Sequence, residues 1–485
     1  MAWVCDDAFI SARVADNFLS LRGLRWNAVE RVQAYTHPLW LLSMISARCV
    51  VHDAYWSLLA LGVSVSALCI WLIATGQHRP GPFIALVAGS LALSKSFVEF
   101  STSGLENPLT HLLLVLLWRA TERGPRSSLS KASVIVACAI LNRLDLALLF
   151  VPPLLAFAKS RHDPPSRRAL ALGLTIAPLL TWEFFSLAYY GSLVPNTAIA
   201  KLTSGLPRAT LVWHGLSYLL QMLPSDPLSA VLLVLGLPWG FVRGTAVTRA
   251  FCAGALAYIA YVVWIGGDFS GGRFLSAPVL VSVLSLIELV PTPRPAFQVA
   301  LVATGLVLQA SASTPVWTPR MPGTSCVDGV CDERAFYGST TGWRRVIGAE
   351  VRPPHPWALQ AVAWSKTPEQ SRRAAGIGFK GFFAGPQVFI VDRFGLSDPL
   401  LARLPPDLTL TPWRPGHLMR CIPIHYLEAA RVGPSALLDA PLRDYYARIW
   451  LVTRGEIWTL ARWRAIWELN TSASRFTGAF TCEPR

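Results

Sequence analysis

The sequence predicts an α-helical polytopic membrane protein of about 10 transmembrane segments, followed by a C-terminal extracytoplasmic α+β domain. Three observations predict it. Of 485 residues, 53% are hydrophobic and only 15% are charged, where soluble domains carry about 25%. Mean hydropathy is +0.43. Long apolar runs recur up to residue 310 and stop there, and the tail mixes basic residues with Trp, Pro and β-prone stretches such as VFIVD at 388–392. The chain therefore divides into a transmembrane domain, 1–310, and a tail domain, 311–485, long enough to bury its own core.

The first element follows the acidic pair Asp6-Asp7. Phe9, Ile10, Val14, Phe18 and Leu21 recur at helical spacing and predict a helix lying along the membrane interface. The pair would sit at its N-terminus, where backbone N–H groups and the helix dipole favour ionised carboxylates. One aspartate suffices as a cap, which leaves the other for further work. Apolar runs follow at 54–75, 82–99, 108–119, 132–141, 145–158, 169–190, 226–242, 249–265, 274–290 and 297–310. Several fall short of the roughly 20 residues of a full span. Asn142-Arg143-Leu144-Asp145 divides 132–158 into two segments or interrupts one.

Basic residues give the orientation. Loops 76–81, 119–131, 159–168, 243–249 and 291–295 hold 12 Lys and Arg, against four in loops 100–107, 142–145, 191–225 and 266–273. The first set is cytoplasmic by this criterion; the second set, the N-terminal loop and the tail lie outside. Every unusual polar cluster then falls on the external side: Asp6-Asp7, STSGLE ending at Glu106, NRLD at 142–145, YYGSLVPNTAIAK ending at Lys201, and GGDFSGGRF at 266–274. The net charge of +15 lies in short loops and the tail without an RNA-type aromatic motif. It points to anionic lipid and a phosphate substrate rather than to nucleic acid.

A loop carboxylate of this kind suits an inverting sugar transfer, in which it takes the proton of an attacking hydroxyl. A departing lipid phosphate needs positive charge, and Arg143, Lys201 and Arg273 are the external candidates. Arg143 could instead pair locally with Asp145, and Lys201 or Arg273 could hold phospholipid head groups. Glycines beside Arg273 allow close backbone approach.

The stretch DDAFISARVADNFLSLRGLRWNAVERVQAYTHPLW resembles the first external loop of GT-C glycosyltransferases that use polyprenyl-phosphate sugars, in their bacterial arabinofuranosyltransferase-like branch. SGLENPL at 103–109, the Pro-Asn-Thr and Lys segment at 189–201 and GGDFSGGRFLSAP at 266–278 resemble further motifs of that family, in the same order. VDRFGLSDPLLARLP at 391–405 and RPGHLMR at 414–420 resemble its post-membrane domain. NRLD departs from the Arg-Pro-acid form common among the relatives, so Arg143 and Asp145 carry over less securely.

The resemblance implies transfer of a furanose, arabinofuranose in particular, from a polyprenyl-phosphate donor to an envelope glycan or glycoprotein outside the cytoplasmic (inner) membrane. It implies Asp6 as base with Asp7 in support; Arg273, Lys201 and Arg143 remain the charge-based candidates for the donor phosphate. Glu106, Asn196, Asp268, Asp392 and His417 are the expected substrate-binding residues, with Asp398 a further candidate in the tail. No cofactor is predicted, and divalent-metal dependence is open. The family carries a transmembrane helix ahead of the acidic pair, where MAWVC alone precedes it here; a start upstream of Met1, a shortened chain and a true start at Met1 all stay open.

Two rival readings are a lipid-linked sugar flippase or transporter and an O-antigen-type ligase. Transporters tend to show internal repeats and mid-membrane charges, and neither is evident. A ligase normally needs a long external loop between late spans, where this chain has GGDFSGGR.

Cys49, Cys69, Cys138 and Cys252 fall in apolar runs and read as small core residues. Cys326, Cys331, Cys421 and Cys482 lie in the tail on the oxidising side. Of their three possible pairings, Cys326–Cys331 with Cys421–Cys482 is preferred. A zinc site fits the five-residue spacing less well.

Overall fold

The computed structural model describes residues 2–483 except 77–80, 123–126, 290–293, 316, 318–325, 369 and 410–413. Arg79, Arg123 and Arg126, which entered the loop charge comparison, lie outside the described residues.

Among the described residues every predicted apolar run is mainly helical. The runs 54–75 and 169–190 become Ala54–Gly76 and Pro165–Tyr190, and 249–265 becomes Ala246–Trp264. The run at 82–99 is split at Ser94 into Gly81–Leu93 and Lys95–Phe100, with the Ser94 hydroxyl accepting the Phe97 N–H as an N-cap. The NRLD break also resolves: Leu129–Asn142 and Ala147–Lys159 are separate helices joined by a 3-10 turn at Leu144–Leu146. These helices make a helical membrane protein.

The spans are fewer by length than the sequence predicts. Among the described residues three helices are long and apolar enough to cross a bilayer alone: Ala54–Thr75, Pro165–Tyr190 and Ala246–Trp264. A fourth candidate is the pair Arg208–Ser225 and Pro227–Arg243, bent by 113° at Asp226. Its first half contradicts the reading of 191–225 as a loop. Arg208–Leu220 is helical and leaves Trp213, Leu216 and Leu220 exposed, an apolar face of the kind lipid covers.

The chain forms two compact units, each assembled from separate stretches. The first is Met1–Val4, Leu58–Leu179 and Pro207–Trp343; the second is Cys5–Ser57, Leu180–Leu206 and Arg344–Arg485. Neither follows the division at 310.

The first unit packs helix on helix through small residues. Gly236 and Gly240, one turn apart on Pro227–Arg243, face Ser282 and Ser285 of Ser276–Leu289. A methyl group added at Gly236 would come within 2.6 Å of the Ser282 Cβ. This is how helices approach closely in lipid, where burial of apolar surface supplies no drive between them. The first unit also holds the Cys326–Cys331 disulfide, which closes the antiparallel pair Cys326–Val327 and Val330–Cys331.

The second unit is mixed. Its strands Arg372–Ala374 and Ile390–Asp392 pair in parallel, the latter arising from the predicted VFIVD stretch. One core gathers Ile10, Val14 and Trp26 from the N-terminal stretch with Ile377, Val388 and Ile390. A second joins Leu400, Leu404, Tyr446, Ile449 and Ile466. The Cys421–Cys482 disulfide lies in this unit, so both preferred pairings form. Cys69 and Cys252 are buried as expected, whereas Cys49 is exposed.

The helix Asp6–Leu19 departs from its interfacial reading. Phe9 and Val14 are fully buried and Ala8, Ala12 and Ala15 nearly so, leaving only Phe18 and Leu21 of the predicted stripe exposed. Small residues opposite the stripe let protein close over both sides. Phe9 meets Phe379, Phe382 and Phe383 of the helix Ile377–Ala384 at ring distances of 4.9–5.7 Å. Arg13 stacks over Trp26 and donates to the carbonyls of Trp26, Gly381 and Val388, tying this helix to the tail.

Candidate active site

Asp6 and Asp7 open the helix Asp6–Leu19, and Cys5 ahead of them provides no side-chain cap. Asp6 instead caps a different helix. Its Oδ2 accepts the Gly378 N–H at 3.0 Å and its Oδ1 the Phe379 N–H at 2.7 Å, both at the start of Ile377–Ala384. Gly378 makes the approach possible, because a Cβ there would overlap the Asp6 main-chain carbonyl oxygen.

Asp6 is 3% exposed. Burial is the main force on its carboxyl and pushes it up to about 7, with the Asp7 charge adding; the two backbone bonds and the Lys380 ammonium pull the other way. A carboxyl at that value is matched to proton transfer near neutrality. Asp7 is half-buried. Lys380 and His355, which flank this corner, escaped the sequence reading. Burial and the Lys380 charge hold the His355 imidazole down at about 4. Lys380 lies in the helix Ile377–Ala384 and His355 caps Pro356–Trp364; that these helices meet Asp6 is invisible in their own patterns.

The other candidates of the second unit organise loops. Asn196 donates to the carbonyls of Gly395, Leu396 and Asp398 at 2.8–3.2 Å, joining the Pro-Asn-Thr segment to the VDRFGLSDP segment. Asp392 is fully buried and accepts N–H bonds from Phe394 and Ser397; burial pushes its carboxyl up to about 6. Asp398 accepts from Leu400, Leu401 and the Tyr426 hydroxyl, and burial together with the Glu30 charge raises it to about 8. His417 packs edge-on against Phe394 at 4.8 Å. Lys201 is exposed at the end of Asn196–Leu202 and lies beside Gly416 of the RPGH stretch.

The first unit brings together the remaining four. Glu106 ends the SGLE turn and receives two arginines. Arg143 Nη1 donates to its Oε1 at 2.7 Å, and Arg273 Nη2 donates to both its oxygens at 3.0 and 3.1 Å. Arg143 also grips Asp145 with two parallel bonds of 2.6 and 2.9 Å, the local pair that its spacing allowed. Arg273 reaches Asp268 at 3.5 Å. Burial works against the Arg143 charge, and Asp145 and Glu106 more than offset it, so its pKa lies above the ordinary guanidinium value.

Both guanidinium groups share the Phe274 ring, at 4.4 and 5.6 Å from its centre. Phe274 is the residue of this cluster that the sequence did not single out; its position next to Arg273 was the available cue. Asn107 supports the floor by donating to the Arg273 carbonyl and Ser276 Oγ, and Asn142 by donating to the Glu106 carbonyl. Two arginines among three carboxylates are already compensated. A substrate phosphate here would have to exchange with Glu106 or Asp268.

The second unit thus holds a buried carboxyl near neutrality at a helix start, and the first unit a buried arginine–carboxylate cluster, groups of the kind that serve proton transfer and anion binding. No family model matches the chain, and no solved structure matches it. Two curated proteins do, both called terminal beta-(1->2)-arabinofuranosyltransferase. The one from Mycobacterium tuberculosis is 27% identical over 82% of this chain and 78% of its own length. The one from Corynebacterium glutamicum is 29% identical over 60% of this chain, a match that spans about half (48%) of the relative. These relatives support an arabinofuranosyltransferase-like GT-C glycosyltransferase, and so an enzyme.

Proposed function

We propose that the chain transfers arabinofuranose from a polyprenyl-phosphate donor to an envelope glycan or glycoprotein acceptor, with inversion at the anomeric carbon. The observation that carries the mechanism is the buried Asp6 carboxyl at the start of Ile377–Ala384, which burial raises to about 7. The names of the two relatives support the sugar. Asp6 takes the proton from an acceptor hydroxyl as that oxygen forms a bond to the anomeric carbon. The bond from that carbon to the phosphate oxygen breaks, and the polyprenyl phosphate leaves with its electron pair. For the hydroxyl to reach Asp6, it must replace one of the two backbone N–H donors of Ile377–Ala384. Free-enzyme geometry of this kind is compatible with a base that is uncovered on binding. Arg273, Arg143 and Lys201 supply positive charge for the phosphate. Glu106, Asn196, Asp268, Asp392 and His417 line or brace the substrate sites.

The enzyme sits in the cytoplasmic membrane, spans it about 10 times and works on the extracytoplasmic side, where residues 311–485 form the external domain. The disulfides Cys326–Cys331 and Cys421–Cys482 support that side, since such bonds persist in oxidising compartments. One observation favours a second arrangement of the same chemistry: Asp7 is half-buried while Asp6 is covered, so Asp7 could act as base with Asp6 holding the corner. Transfer from a polyprenyl-phosphoryl arabinofuranose donor by Asp6→Asn and Asp7→Asn tests both. Loss with the first and a milder effect of the second supports Asp6, the reverse exchanges the roles, and full activity of the double variant ends the reading.

A further inference from the structure

The second unit contains a small cleft, distinct from the Asp6 corner, and two arginines line it. Arg31 comes from the N-terminal stretch and Arg403 from the tail; they are 6% and 7% exposed. Arg31 donates from Nη2 to the carbonyls of Val452 and Gly455, and Arg403 from Nη1 to that of Pro399. Both Nε–H groups are buried and have no hydrogen-bond partner among the described residues. Neither arginine forms an ion pair among them, and none of the residues lining the cleft is acidic. Ser192, Gln33 and Thr453 add short polar side chains to the lining.

Two desolvated guanidinium groups without a counter-charge are costly, and removing such charges from water is tolerated where an anion completes the site. The contrast with Arg143 and Arg273 is direct, since three carboxylates compensate those. We propose that the Arg31–Arg403 cleft binds an oxyanion of the phosphate class. Planar guanidinium groups match the oxygen spacing of phosphate; Arg31 presents its Nε–H, its Nη2 being engaged with Val452 and Gly455, and Arg403 presents its Nε–H on the side away from the Nη1 that holds Pro399. The phosphate can belong to a phospholipid head group or to a soluble phosphate. Asn196, proposed above to line or brace a substrate site, also borders the cleft; the proposal concerns anion binding there and needs no donor to test.

Inorganic phosphate titrated calorimetrically into the full chain in detergent, against chloride at equal ionic strength, is the first measurement. Arg403→Met and Arg31→Met are expected to weaken phosphate binding about 10-fold or more each. Arg403→Met should also raise the unfolding temperature of the phosphate-free protein, since it removes an uncompensated buried charge. A purely structural arginine would lower it. Ile199→Trp fills the cleft while keeping both charges and should abolish binding, which carries the test if an arginine variant does not fold.

Reconstitution into phosphatidylcholine vesicles with and without phosphatidylglycerol separates the sources. Phosphate binding that is lost only when phosphatidylglycerol is present assigns the cleft to a lipid head group, and binding equal in both assigns it to soluble phosphate. Absent phosphate binding, or binding unchanged in Arg403→Met and Ile199→Trp, overturns the proposal.

Discussion

Replacing Asp6 by Asn is expected to slow transfer about 10²–10⁴-fold while leaving the protein folded near neutral pH. The structure sets the stability side of that expectation through two opposing effects. Both Asp6 oxygens accept backbone N–H bonds, whereas an amide has one acceptor oxygen and turns its NH₂ toward the other donor. One buried N–H then loses its partner, at about 1–3 kcal/mol. The second effect is protonic. Burial raises the Asp6 carboxyl to about 7, so across roughly pH 4 to 7 the folded state holds a proton that the unfolded state has released. Stability therefore falls as pH rises through that window, by about 4 kcal/mol in all. Above it the wild type carries the full loss and the amide carries none. The two effects are of similar size, and the variant should lie within about 2–3 kcal/mol of wild type above pH 7, with a flatter stability profile between pH 4 and 7.

Thermal unfolding across that range measures the first half, and single-turnover transfer measures the second. For wild type, the acid limb of kcat/KM should have its midpoint near pH 7. A midpoint below about pH 5, or near-normal transfer by Asp6→Asn beside an inactive Asp7→Asn, refutes Asp6 as the base.

Arg273→Ala should impair donor use and also destabilise the protein by about 3–5 kcal/mol, because Glu106 and Asp268 lose a buried counter-charge. Adding Glu106→Gln should restore part of the unfolding temperature without restoring donor use. Gly378→Ala should lower stability by about 1–3 kcal/mol, read by thermal unfolding, since its methyl group has no room against the Asp6 backbone. Opening the Cys421–Cys482 bond with Cys421→Ser and Cys482→Ser releases a loop of 61 residues. That should cost up to about 4 kcal/mol in denaturant titrations. In intact cells carrying Cys49→Ser, a cysteine at exposed Lys201 should react with a membrane-impermeant thiol reagent and one at exposed Lys159 should not; the opposite pattern inverts the orientation.

The apolar runs were legible because bilayer-grade hydrophobicity is a local property of composition. Arg208–Leu220 was missed because His214 and its polar flanks dilute that signal, and its helical character shows only once Trp213 and Leu220 are seen on one face. The Arg143–Asp145 pair lies within two residues and could be anticipated; Glu106–Arg273 spans 167 residues and could not. The acidic pair was correctly read as sitting at a helix start. That Asp6 serves the start of another helix, 372 residues away, is a fact of packing that no window of sequence contains. The same limit explains the interfacial reading of Asp6–Leu19: periodicity found the apolar stripe, while Ala8, Ala12 and Ala15 on the other side gave no sign of a partner.

The discontinuity of the second unit bears on how the enzyme is made. Cys5–Ser57 finds its core partners Ile377, Val388 and Ile390 only after more than three hundred further residues have left the ribosome. At about 5–20 residues per second, the first helix waits on the order of half a minute with Phe9 and Val14 uncovered. During that interval it must be shielded by lipid, by a chaperone or by non-native contacts. Nascent chains arrested before Arg344 should therefore be protease-sensitive within the first helix, whereas the released protein is protected there.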